Sequence, residues 1–155
     1  MKKLLITLLF GGFLLGFSNF TYAQEDYSGL NVFVKFGDES AASAHYEIPI
    51  AKNFTISPAV AFSFDFDYIA IGGRADYYFD SLLNINEPWD IWAGVDTGFV
   101  IGNEKDDVKD YYDDFELNLH AGVEYKFNET WGIIAEIGGG GNFGVFGTFG
   151  VGIHF

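Results

Sequence analysis

The sequence contains no cysteine, which excludes a disulfide scaffold and any thiolate chemistry. It is also poor in cations, with 8 Lys+Arg against 22 Asp+Glu and a formal net charge of −14 over 155 residues. Nucleic-acid binding rests on basic neutralisation of phosphates, so that class of function is excluded. Beyond residue 23 there is no apolar run close to the roughly 20 residues that a spanning helix needs.

The first residues address the chain for export. Met1-Lys2-Lys3 is a short positive region, and Leu4–Phe17 is an apolar stretch broken only by Thr7 and three glycines. Thr21 and Ala23 then supply small residues at −3 and −1 of a cut between Ala23 and Gln24. The apolar stretch is too short for a retained spanning helix. The expected organisation is a signal peptide over 1–23 and one domain over 24–155. Loss of Lys2 and Lys3 takes the net charge to −16, because every acidic residue lies in the mature part.

What the sequence has in abundance is aromatic residues (19%), 20 glycines and alternation. From Phe115 to Phe127 (FELNLHAGVEYKF) every odd position is apolar or aromatic and every even one is polar or glycine. That period of two marks a strand with one oily and one wet face. The same reading gives strands at about 27–36, 41–50, 54–64, 67–79, 89–101, 115–127, 130–139 and 145–155. Ala51–Asn53 and Asn128-Glu129 are tight turns, while 80–88 and 102–113 are longer connections. Pro58 falls inside the third strand, where it cannot donate to a ladder.

Eight antiparallel strands of this length suit an all-β, up-and-down transmembrane barrel, whose tilted strands need about 9–11 residues to cross a bilayer. The rival is a soluble, lipocalin-like barrel with the apolar phase turned inward. The uniform bulk of the apolar phase favours lipid contact for Leu117, Leu119, Ala121 and Val123, with Tyr125 and Phe127 at the periplasmic interface. The glycines of the wet phase favour a narrow lumen, where they make space for Tyr68, Arg74, Trp92 and His120. Aromatics gather at strand ends (Phe36, Phe54, Phe64, Tyr77, Phe79, Trp89, Trp131, Phe155), where interfacial girdles belong.

The closing stretch Thr148-Phe149-Gly150-Val151-Gly152-Ile153-His154-Phe155 resembles the C-terminal β-signal read by the bacterial barrel-assembly machinery, with Thr148, Gly150, Ile153 and Phe155 in its positions. With Trp131-Gly132-Ile133 and Glu136 after a tight turn, the mature chain is similar to the small outer-membrane barrels of the OmpA-transmembrane, OmpX and OmpW type. That resemblance implies residence in a Gram-negative outer membrane, lipid and lipopolysaccharide around a monomer, and the assembly machinery as a partner during biogenesis. It specifies architecture rather than activity, since the group holds structural anchors, adhesion and defence proteins, narrow channels and a few lipid-modifying enzymes.

The chemistry-bearing residues of the wet phase are Lys35, Glu47, Arg74, Asp76, Asp96, Glu116, Glu124, Lys126 and Glu136. Charges within a bilayer must face the interior and pair there. Arg74 and Lys126 are expected to bridge carboxylates such as Glu124 and Glu136, as a structural plug or as a gate on a path for a small, hydrophobic solute. Ser43, His45 and Glu47 share a face, but residues in line do not make a triad; His120 and His154 read as unaccompanied polar residues. No catalytic set, cofactor or metal site is expected. The acidic loop GNEKDDVKDYYD offers oxygen ligands for divalent cations but lacks the EF-hand spacing, and reads as a solvated charge run. The glycines of 138–144 lack the Lys-Ser/Thr of a phosphate loop and read as an external hairpin. The expected role is structural or interactive, then a narrow channel or carrier, then a soluble ligand-binding barrel, then a lipid A-modifying enzyme.

Overall fold

The computed structural model describes residues 28–37, 40–102, 115–140 and 144–155. The Ala23–Gln24 cut and nearly all of the acidic loop lie outside them. Among the described residues eight strands follow one another: β1 (Gly29–Phe36), β2 (Ala41–Ala51), β3 (Phe54–Ser63), β4 (Tyr68–Tyr78), β5 (Trp89–Gly102), β6 (Phe115–Lys126), β7 (Trp131–Gly140) and β8 (Val145–His154). Each pairs antiparallel with the next, and β1 pairs with β8 from Gly29↔His154 to Phe36↔Gly147, which closes the barrel.

Alternation in the sequence becomes inside and outside in space. In β6 the burial runs exposed and buried by turns, with Leu117, Leu119 and Ala121 exposed and Glu116, Asn118, His120 and Glu124 buried. β7 repeats the pattern, with Trp131, Ile133, Ala135 and Ile137 outward and Ile134 and Glu136 inward. A closed sheet has no edge, so every strand sits between two ladders.

Pro58 shows how the wall absorbs a missing donor. On its β4 side it stands opposite Gly73 in register. On its β2 side the ladder runs to His45↔Ala59 and resumes at Ile48↔Ile56, skipping the stretch opposite Pro58. A bulge follows between Pro49 and Ala51, where extra twist brings β2 into its turn.

The two rims differ. One carries the tight turns and is called the turn end: Asn128 Oδ1 accepts from the N–H of Thr130 and Trp131 at 2.8 and 2.9 Å, an Asx turn. The connection at 80–88, read from sequence only as long, contains a short helix, α1 (Asp80–Leu83), closed by Asn84 in the left-handed region at φ 52°. The opposite rim, the loop end, includes the β3–β4 turn, where Ser63 Oγ accepts from the N–H of Asp67 and Tyr68 at 2.9 and 3.1 Å.

Candidate functional site

The lumen is the site, and its centre is Arg74. β4 aims Arg74 and Asp76 inward two residues apart, and β7 brings Glu136 across from the other side of the barrel. Arg74 Nε and Nη2 donate to Asp76 at 3.2 and 3.3 Å, while Nη1 and Nη2 donate to Glu136 at 3.2 and 2.7 Å. One guanidinium is thus forked by two carboxylates, the geometry in which arginine recognises carboxylate best. Trp92 Nε1 and Thr148 Oγ1 donate to the same Glu136 at 3.2 and 2.9 Å. His120 extends the cluster, with Nε2 at 2.5 Å from Asp76 and Nδ1 at 3.0 Å from Asp96; Asn118 also donates to Asp96 at 2.9 Å. Asp76 is fully buried, so its partners replace the water that it has lost.

Toward the turn end the lumen is packed. Phe33, Tyr78, Trp92 and Ile134 form a buried apolar layer below Arg74, and the Phe33 ring stacks on His45 at 5.1 Å. Small residues create the room. A Cβ on Gly122 would stand 2.5 Å from the Trp92 ring, and one on Gly94 would stand 2.9 Å from His120 Nε2. Those two of the expected glycine spaces are present; among the crowded glycines none has Tyr68 or Arg74 as a near neighbour. Below the apolar layer, Tyr78 donates to Glu47 at 2.7 Å, Lys126 meets Asp90 at 2.6 Å, and His154 meets Glu124 at 2.7 Å.

Toward the loop end the same alternation leaves space. A cavity of about 110 Å³ is lined by Ala59, Ala61, Ala70, Gly72 and Gly98, with Arg74 and Glu136 at its base. Lys35, Asp96, Glu116 and Asn118 also line it. Ala41, Tyr68, Val100 and Phe146 form the second apolar cluster there, and Lys35 Nζ lies 3.9 Å from the Phe146 ring centroid, a cation–π contact.

All nine charged residues singled out from sequence are described, and three of them meet at one point: Arg74, Asp76 and Glu136. Of the two cations expected to bridge inward carboxylates such as Glu124 and Glu136, Arg74 meets Glu136. Lys126 pairs with Asp90 on β5, across from Glu124 in the β5–β6 register, and Glu124 takes His154 instead. The histidines read as unaccompanied each have a carboxylate within reach. Face assignment from alternation tells which side a residue is on; the tilt of the strands decides which inward residues meet. For His45, Nε2 faces Asn31 at 3.0 Å and Nδ1 faces Arg74 at 3.5 Å, so both nitrogens are occupied and neither is offered to Ser43. Phe33, Ile134, Val100 and Phe146 are inward apolar residues that a polar-inside rule does not find; their only signal is the glycine opposite some of them, Gly150 at Phe33 and Gly138 at Phe146.

In the C-terminal stretch Gly150 is buried and Thr148 reaches Glu136, whereas Ile153 and Phe155 belong to the outward phase. The Phe155 N–H donates to Ser28 O at 3.2 Å, continuing the closing ladder.

No family model and no curated protein matches the sequence. Solved structures do match. The N-terminal β-barrel domain of Pseudomonas aeruginosa OprF is similar with a TM-score of 0.60 at 16% identity, covering 86% of this chain and 100% of that one. A barrel from the de novo design of transmembrane β-barrels has a TM-score of 0.58 at 12% identity, with 86% and 100% covered. The designed barrel TMB2.3 has a TM-score of 0.57 at 11% identity, with 83% and 94% covered. The likeness is one of fold: a closed, antiparallel, up-and-down barrel of eight strands.

Proposed function

We propose that the chain is an integral barrel of a Gram-negative outer membrane with a structural or surface-interaction role and a closed lumen, without enzymatic activity. The observation that carries this reading is inverted polarity. Leu119 (64% exposed), Ile71, Ile137 and Phe149 stand on the outside, while Asp76, Glu47, Glu124 and Glu136 are buried within. A soluble barrel would hold that apolar band in water at about 25 cal/mol per Å²; hydrocarbon removes the cost. The aromatic pairs Trp89–Tyr125 and Tyr77–Phe79 at the turn end, and Phe99–Phe115 at the loop end, sit where interfacial girdles belong. Lipid, lipopolysaccharide and the barrel-assembly machinery are the partners that this reading implies.

Two measurements test it. Folded barrel in detergent should migrate differently on unboiled and boiled SDS gels, and in a planar bilayer it should give no steady unit conductance. Identical mobility in both lanes would overturn the membrane reading.

The loop-end cavity, with Arg74 at its base, favours a second reading, a narrow path or carrier for a small solute gated at Arg74. Unit conductance in the unaltered protein that changes in Arg74→Ala would put this reading ahead of the closed one.

A further inference from the structure

At the turn end the β2–β3 connection is polar, with Lys52 and Asn53, and the β6–β7 connection carries one exposed aromatic, Phe127, followed by the polar Asn128, Glu129 and Thr130. The β4–β5 connection departs from them. Leu82 and Leu83 of α1 are 66% and 57% exposed. The segment is nonetheless held firmly. Asp80 is buried, and its Oδ1 accepts from the Ile91 N–H at 2.9 Å. Its backbone oxygen accepts from the Ile85 N–H at 2.9 Å. Asn53 of the β2–β3 turn donates to Ser81 Oγ. Two large apolar side chains are therefore displayed on a braced element.

The position of this element identifies its partner. The β4–β5 connection that holds it follows Tyr77 and Phe79, whose rings meet at 5.1 Å, and runs to Trp89, whose ring meets Tyr125 at 4.9 Å. These are the aromatics of the turn-end girdle, so the two exposed leucines stand in the chain between its two aromatic pairs. We propose that α1 is an interfacial foot: Leu82 and Leu83 enter the boundary between headgroups and acyl chains of the leaflet at the turn end, while Asn84, Asn86 and Glu87 stay in the headgroup layer. A short amphipathic segment next to Trp and Tyr anchors is suited to that depth. The foot would limit how far the barrel slides along the membrane normal.

This rests on the outer-membrane reading, and one experiment separates the two. The chain has no cysteine, so L82C, L83C, L119C and K52C each accept a single nitroxide label. The labelled barrels are reconstituted in phosphatidylcholine vesicles and checked for heat-modifiable mobility. Collision with oxygen, which concentrates in lipid, is then compared with collision with a water-soluble nickel complex. Labels at 82 and 83 should show an oxygen-to-nickel ratio above that at 52 and below that at 119. A ratio equal to that at 52 would overturn the foot while leaving the barrel in the membrane. Labels at 82 and 83 shielded from both reagents would indicate a protein partner or a second copy, and would overturn it too. A nickel-accessible label at 119 would overturn the membrane reading itself, and the foot with it.

Discussion

In the turn-end half of the lumen Phe33, Tyr78, Trp92 and Ile134 close on one another beneath Arg74, whereas in the loop-end half Ala59, Ala61, Ala70 and Gly98 face a cavity of about 110 Å³. Both halves are made by the same inward phase of the same strands. The contrast turns on what stands across from each small residue. Gly122 has the Trp92 indole against it, Gly150 has Phe33, and Gly132 has Glu124. The small residues of β3 and β4 near the loop end line the cavity instead. A lumen glycine is therefore half of a complementary pair where a large side chain stands against it, as Phe146 also does at Gly138, and part of the cavity wall where none does, as at Gly98.

Four substitutions test this contrast, from the strongest effect to the weakest. Arg74→Ala strips the shared cation from Asp76 and Glu136 at the boundary of the halves and should cost about 3–5 kcal/mol, as removal of one partner from a buried ion pair does; urea unfolding in lipid vesicles reads it. A cost below that of the next variant would mean that water from the cavity solvates the carboxylates and that the boundary is not dry. Leu119→Arg is set at the height of His120 but on the outer face, and should cost about 2–4 kcal/mol if Leu119 lies at the bilayer midplane. A near-neutral midpoint shift would reverse the assignment of faces. Gly122→Ala drives a methyl into the Trp92 ring, and should lose about 1–3 kcal/mol with a change in Trp fluorescence, as overpacking does. Ala61→Leu enlarges a residue of the open wall and should change stability by less than about 1 kcal/mol, because the added atoms enter space already present; thermal melts of this variant and the unaltered barrel should nearly overlay. If Ala61→Leu proves as costly as Gly122→Ala, the two halves are equally packed.

Much of the architecture was readable from the amino-acid pattern, because a barrel wall enforces a period of two and each turn interrupts it. The reading of strand ends falls within a few residues of the observed ones, for example 89–101 against Trp89–Gly102 for β5 and 54–64 against Phe54–Ser63 for β3. The nine charged positions were legible as polar members of the alternation, and the Arg74–Glu136 pair was named among them, but the partners of Lys126 and Glu124 were not. Lys126 and Glu124 alternate on one strand, yet Asp90 and His154 reach them from neighbouring strands and from across the floor. Such meetings depend on strand register and tilt, which local sequence does not encode. The helix α1 was also hidden, since Asp80-Ser81-Leu82-Leu83 is too short to display a helical period.

The ladder from Gly29↔His154 to Phe36↔Gly147 joins the earliest described strand to the latest. Contacts this distant along the chain are costly in loop entropy and form slowly. Until they do, β1 and β8 each present a row of unpaired N–H and C=O groups, which lipid cannot hydrogen-bond and which another chain could capture. The finished barrel has no such edge, so its hazard is one of timing, confined to the interval in which the first strand waits for the last.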